Sequence, residues 1–179
     1  MELRDPKLSV TPDGRLMILA GGSVYDCGKL IGRQPRVAFS RNGLDWTPTQ
    51  RILSEGEWLW RVTWHQGRAY GVSYNTAPGD GKDNDWSVKL LVSRDGIEYE
   101  QITVLDIPGR PNETTLRFLN SREMMALVRR EGGNMQGWIG VSRPPYYWAL
   151  PSQWNGALTR RERGLAGAVR LKALSGKPR

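Results

Sequence analysis

The segment Ser40-Arg41-Asn42-Gly43-Leu44-Asp45-Trp46 returns 53 residues later as Ser93-Arg94-Asp95-Gly96-Ile97-Glu98-Tyr99. Both copies read Ser, Arg, Asn or Asp, Gly, an apolar residue, an acid and an aromatic residue. Asn-Gly and Asp-Gly form tight hairpin turns, because Gly adopts a positive φ at no steric cost and the Ser and Asx side chains can bond the local backbone. The repeat predicts two equivalent hairpins, each with its aromatic residue packed into the core.

A second hairpin repeats in step with the first. Strand, tight turn and strand are predicted at 8–20 and at 62–74, where Gly14 and Gly67 again lie 53 residues apart. Residues 115–128 give a third copy, and residues 139–146 give a degenerate third copy of the first motif. Each module therefore contains four strands in about 50 residues, which is the size of a propeller blade.

We therefore predict an all-β chain of three four-stranded blades at about 4–58, 59–108 and 109–150. The alternative is a β-sandwich of ordinary hairpins, but a sandwich has no reason to keep a 53-residue period. Three blades cannot close a propeller, which needs roughly 4–8 of them. Either further blades complete the ring, or the chain self-associates through its open edges.

The composition restricts the chemistry that the chain can perform. Cys27 is the only cysteine and His65 the only histidine, which excludes an internal disulfide, a thiolate zinc site and a multi-histidine metal site. We expect no metal and no cofactor, so any chemistry must rest on carboxylates, Arg or Tyr. The eight Trp and six Tyr favour strands and sugar-facing surfaces, because these rings combine an apolar face with a polar edge.

The net charge of +8 is concentrated at the C-terminal end. Residues 151–179 contain seven Lys and Arg against one Glu, whereas residues 1–150 contain 19 basic and 17 acidic residues. This balanced body argues against a nucleic-acid partner. No apolar stretch approaches the roughly 20 residues that span a bilayer, and the first residues do not read as a signal peptide. We expect no membrane contact and leave the cellular location open.

The strand and turn rhythm stops after Leu150. A fourth blade should begin there, but residues 151–179 are basic and their apolar pattern is broken by Gly. We expect this tail to be disordered or non-native, for example an out-of-register translation. A short basic helix is the alternative.

The repeated hairpins resemble the Asp-box, or bacterial neuraminidase repeat, of the sialidase superfamily, in its short form S-x-D-G-x-x-W. Asn42 stands in place of the Asp in the first copy, and Tyr99 in place of the Trp in the second. The resemblance covers about 4–148 and implies part of a propeller of about six blades. Asp-boxes also occur in propellers that are not sialidases, so they indicate architecture more than activity.

A second resemblance concerns Glu113 and Arg129, which lie sixteen residues apart. In sialidases a Glu before an inner strand polarises the tyrosine nucleophile, and an Arg about that far downstream belongs to the cluster that holds the sialate carboxylate. Residues 120–123 depart from the family's D-G turn. The nucleophilic tyrosine and a third Arg have no match in this sequence.

Propeller ligands bind on the axis, where the innermost strand of each blade begins. Charged or polar residues occupy that position in all three modules. A Glu or Asp can act as acid, base or tyrosine partner, and an Arg fork can bind a carboxylate. The candidate catalytic residues are Glu113 and Asp5, and the candidate substrate-binding residues are Arg129, Arg61, Arg4 and Asn112.

Structural alternatives exist for several of these residues. Arg4 and Asp5 could form an exposed ion pair near the terminus, and Arg61 could extend to solvent between Trp60 and Trp64. We expect instead that Glu113 and Arg129 lie on adjacent strands and face the axis together with Arg61.

The resemblance implies a glycoside hydrolase of the exo-α-sialidase type, acting on a terminal sialic acid or a related acidic sugar. Under this reading the present chain is a truncated and inactive part, and complete relatives are often secreted or periplasmic. The alternative is a non-catalytic propeller that binds glycans. Both readings make carbohydrate the expected partner.

Overall fold

The computed structural model describes residues 2–75, 86–133, 136–143 and 172–173. Within these residues the chain is all-β and forms three four-stranded antiparallel sheets, none of which closes on itself. The described segments contain no helix that is long and apolar enough to span a membrane.

Each sheet is a meander in which every strand pairs with its successor. The first sheet contains β1 (Glu2–Val10), β2 (Leu16–Asp26), β3 (Lys29–Ser40) and β4 (Gln50–Arg51). The second contains β5 (Glu57–His65), β6 (Arg68–Asn75), β7 (Ser87–Ser93) and β8 (Tyr99–Leu105). The third contains β9 (Thr115–Phe118), β10 (Met124–Val128), β11 (Trp138–Ser142) and β12 (Lys172–Ala173).

Strand β12 comes from the predicted C-terminal tail, and its two residues pair with Trp138 and Ile139 of β11. The rest of 151–179 lies outside the described residues, as do 144–150. The expected disorder of the tail therefore remains a prediction.

The two repeated turns have the same hydrogen-bond pattern. The Ser40 hydroxyl accepts from the Gly43 amide at 2.8 Å, and the Ser93 hydroxyl accepts from the Gly96 amide at the same distance. The Asn42 side-chain oxygen accepts two further amides, from Leu44 and Asp45, both at 2.9 Å. Asp95 does the same for the two residues that follow Gly96. The repeat in sequence is thus a repeat of turn geometry at the β3–β4 and β7–β8 connections.

The hydrophobic core lies between sheets. One face of the second sheet packs on the first sheet, and its opposite face packs on the third. The first core contains Met17, Leu19, Val37, Phe39, Ile52, Leu59, Val62, Ala69 and Leu91, and the second contains Trp58, Val72, Tyr74, Val88, Leu90, Leu105, Ile107, Leu116, Met124, Ala126 and Val128. The leading strand of the second sheet, β5, contacts both β1 and β9, so the first strands of the three sheets are neighbours.

The expectation that both repeat aromatics enter the core is wrong for Trp46. Tyr99 packs against the core between the first two sheets, whereas Trp46 is 37% exposed. The difference follows from the stacking order. The first sheet covers the second-sheet turn that leads to Tyr99, but no described segment covers the matching turn of the first sheet.

Candidate functional site

A cavity of about 390 Å³ lies where the three sheets converge. Each sheet contributes from the same end of its meander, because the start of the first strand and the end of the second are neighbours in an antiparallel pair. Its lining residues are Arg4, Asp5, Ser23, Tyr25, Leu30, Arg33, Trp58, Tyr74, Trp86, Asn112, Glu113 and Glu131. Four of the six candidate site residues are among them: Arg4, Asp5, Asn112 and Glu113.

The third sheet contributes an ion-pair network to this cavity. Arg129 Nη1 lies 2.8 Å from Glu113 Oε1, and Arg129 Nη2 lies 2.9 Å from Glu131 Oε1. The Asn112 side-chain amide donates to Glu131 Oε1 at 2.9 Å, and the Asn112 backbone amide donates to the Arg129 carbonyl at 3.0 Å. Glu113 and Arg129 are thus brought together, but two carboxylates bind the Arg129 guanidinium.

A β-bulge separates Arg61 from the other candidates. The pairing of β5 with β6 shifts between Leu59 and Val62, and Arg61 lies inside this irregularity. Its Nε atom is buried without a hydrogen-bond partner in the described residues, and its side chain is not among those that line the cavity. Arg61 thus lies outside the cavity lining, beside a bulge whose extra residue re-aims the neighbouring side chains.

A corresponding bulge in β1 has a different result for Asp5. The pairing with β2 shifts between Arg4 and Lys7, and Asp5 has a φ of 53°. A left-handed conformation costs a non-Gly residue roughly 1–2 kcal/mol. The irregularity leaves Arg4 and Asp5 at the cavity, where Arg4 Nη2 also lies 3.0 Å from Glu2 Oε2. The ion-pair partner of Arg4 is thus Glu2.

Four aromatic residues line the cavity: Tyr25, Trp58, Tyr74 and Trp86. The Trp58 ring lies against the backbone of Gly21, where any Cβ atom would overlap it. Burial raises the pKa of Tyr74 well above its usual value, and the negative charge of Glu113 adds to the increase. Tyr74 is therefore a neutral phenol at physiological pH. Two further tryptophans of β5, Trp60 and Trp64, pack against the inter-sheet cores.

Sequence reasoning missed several lining residues, chiefly Arg33, Tyr25, Tyr74 and Glu131. One of them has a signal in the repeat, because Arg33 lies 53 residues before Trp86 and both reach the cavity. Tyr74 lies near the end of β6, and Glu131 follows β10. These are the second strands of their sheets, and they end at the rim where the first strands begin. A search that included the ends of second strands would have found them.

The cavity has the donors and acceptors of a polar ligand site. Arg4 and Arg33 provide cationic donors, and the carboxylates of Asp5, Glu113 and Glu131 provide acceptors. Within the described parts of the chain, no group of three His, Cys, Asp or Glu side chains is placed to hold a metal ion. No protein-family model matches the chain, and no curated protein matches it.

Proposed function

We propose that the three sheets are blades of a sialidase-like β-propeller and that the cavity at their converging ends binds an acidic sugar. The propeller is supported by the stacking of three consecutive meanders and by the contacts of β5 with β1 and β9. The identical hydrogen bonds of the two Asp-box turns support the same arrangement. A sandwich of hairpins does not require successive sheets to present the same turn in the same place.

The observation that carries the sugar proposal is the mixture of side chains around one small cavity. Aromatic faces pack on the C–H faces of a sugar ring, and Asn and carboxylate groups bind its hydroxyls. Arg4 on β1 and Arg33 on β3 come from the two strands that flank β2. They are suited to a carboxylate, because a guanidinium binds it through paired donors. A volume of about 390 Å³ suits a small ligand such as a monosaccharide.

Hydrolysis of a sialoside is the second candidate function. Glu113 and Tyr74 line the same cavity, and the charge of Glu113 acts on the Tyr74 phenol. In the sialidase family, which the sequence resembles, a Glu is paired with a tyrosine nucleophile. Asp5 adds a further carboxylate to the cavity. However, burial raises the pKa of Tyr74, which opposes formation of a phenolate. We therefore propose binding first, on the basis of the side chains that line the cavity.

Calorimetric titration of the chain with N-acetylneuraminic acid, beside galactose as a neutral sugar, tests the proposal. Arg33→Ala should weaken sialate binding by about 10- to 100-fold, because a charge-assisted hydrogen bond is worth roughly 1.5–3 kcal/mol. Arg41→Ala is the matched control, since Arg41 is exposed beside the first Asp-box turn. Equal affinity for both sugars, or equal losses in both variants, would overturn the proposal.

A fluorogenic sialoside distinguishes the two candidates. Turnover that Glu113→Gln abolishes while sialate binding persists would establish hydrolysis. Binding without turnover would leave the chain as a glycan-binding propeller segment.

A further inference from the structure

Two sheet faces of the described chain are apolar and uncovered. On the outer face of the first sheet, Leu8 is 66% exposed and Val10 is 61% exposed. The adjoining turn adds Leu44, which is 84% exposed. On the outer face of the third sheet, Leu127 is 42% exposed. Isolated apolar side chains on a surface are ordinary, but contiguous apolar faces mark interaction sites.

The open face of the first sheet is equivalent to a covered face of the second. On this face, each residue of β2 and β3 lies 53 positions before a residue of β6 or β7 that the first sheet covers. The residues of β1 and β5 that pair with them extend the equivalence to the first strand of each sheet. The covered rows are Val62–Gly71–Leu91 and Trp64–Ala69–Ser93, and their open counterparts are Leu8–Ile18–Ala38 and Val10–Leu16–Ser40.

For the large apolar side chains exposure follows this cover, whereas the small Ala38 and Ser40 are buried without it. Val62 is buried in the second sheet, whereas its counterpart Leu8 is exposed. Ile97 packs against the first core, whereas its counterpart Leu44 is exposed. The first sheet therefore has the surface of a sheet that another sheet covers.

The open face of the third sheet is equivalent to the face that does the covering. In the first sheet the pairs Met17↔Phe39 and Leu19↔Val37 pack on the second sheet. In the third sheet the same positions of the meander are held by Met125↔Val141 and Leu127↔Ile139. The pairs Leu16↔Ser40 and Met124↔Ser142 fix this correspondence, because each places a Ser at the end of the third strand.

We propose that a second copy of this chain covers the open face of the first sheet with the outer face of its third sheet. The contact would continue, between copies, the packing that already joins the first sheet to the second. It is heterologous, since it joins two different faces. Two copies of three sheets would close a ring of about six, which lies within the range of known propellers. This inference rests on sheet packing and is independent of whether the cavity binds a sugar.

Light scattering on the full-length chain as it elutes from a size-exclusion column measures its mass in solution and tests the proposal. The expected mass is twice the 20.2 kDa of one chain. Leu8→Glu and Leu127→Glu should each shift the mass to that of one chain, because each places a charge in both contacts of the ring. Val104→Glu is the matched control, since Val104 is exposed on β8 of the sheet that is covered on both sides. It should remain a dimer.

Mixing the two charged variants tests the head-to-tail arrangement. A Leu8→Glu chain keeps its third-sheet face and a Leu127→Glu chain keeps its first-sheet face, so one intact contact should form and the dimer mass should return. A monomeric wild type, an unshifted Leu8→Glu mass, or no association on mixing would each overturn the proposal. Far-ultraviolet circular dichroism checks folding, and Leu8→Ser replaces Leu8→Glu if the latter unfolds. Sialate titration of the same samples reports separately on the proposed function.

Discussion

The second repeated turn, at the β7–β8 connection, depends on the side-chain oxygen of Asp95. Its Oδ1 atom accepts hydrogen bonds from the amides of Ile97 at 2.8 Å and Glu98 at 2.9 Å, and from the Ser93 hydroxyl at 2.9 Å. Asp95→Ala removes all three bonds, whereas Asp95→Asn keeps an oxygen in the same place. The chain itself contains the matched case, because Asn42 accepts the corresponding two amides in the first turn.

The expected cost of Asp95→Ala follows from these bonds. A hydrogen bond contributes roughly 0.5–1.5 kcal/mol net to stability, and the exposure of Asp95 lets water replace part of what is lost. We therefore expect the free energy of unfolding to fall by about 1–2 kcal/mol for Asp95→Ala. For Asp95→Asn we expect a fall below about 0.5 kcal/mol, because only the charge is lost.

The pH dependence provides a second measurement of the same contacts. Partial burial acts to raise the pKa of Asp95, but the amides of Ile97 and Glu98 and the Ser93 hydroxyl outweigh it and hold the pKa below the usual 3.8. A lowered pKa stabilises the fold above about pH 3.8, and this contribution is lost as pH falls through the folded-state pKa. The difference between wild type and Asp95→Asn should therefore disappear at low pH.

Guanidinium unfolding followed by tryptophan fluorescence measures both effects. The reasoning is refuted if Asp95→Ala and Asp95→Asn are equally stable at neutral pH. It is also refuted if the difference between wild type and Asp95→Asn widens on acidification.

Two further substitutions examine the packing between and within sheets. Gly96→Ala should destabilise the protein by about 1–3 kcal/mol more than Gly14→Ala, because both glycines have a φ of 79° but only a Cβ at Gly96 would come within 3.0 Å of Met17. Equal losses in thermal unfolding would show that the first sheet does not press on this turn. Lys89→Met should lower the free energy of unfolding by about 1–3 kcal/mol, because it leaves the buried carboxylate of Glu57 without its ion-pair partner. Restoration by the double variant Lys89→Met with Glu57→Gln is expected, and a double variant as unstable as Lys89→Met alone would contradict the ion-pair explanation.

The sequence alone predicted the β-class, the hairpins and the positions of the repeated turns. These features are local: alternation determines which face of a strand is apolar, and Asn-Gly or Asp-Gly determines where the chain reverses. The third sheet was harder to delimit, since its turn at 120–123 has no Gly. There the Asn120 side-chain oxygen takes over, accepting the amides of Arg122 and Glu123.

Which side chains line the cavity was decided by the tertiary structure. Equivalent positions in sequence put Asp5 and Glu113 at one rim, and the structure brings both there. Sequence comparison assigned Arg61 an equivalent position, but strand pairing matches Arg4 with Trp58. Arg61 lies three residues further along β5, inside its bulge, and does not line the cavity.

Side-chain burial was likewise decided by neighbours that are distant in sequence. Trp46 and Tyr99 occupy the same place in the repeat, but only Tyr99 has another sheet packed against it. A local motif specifies the turn and the direction in which a side chain leaves it. Whether that side chain meets protein or solvent is determined by which sheet stacks on the motif, and stacking is a long-range contact that the motif does not encode.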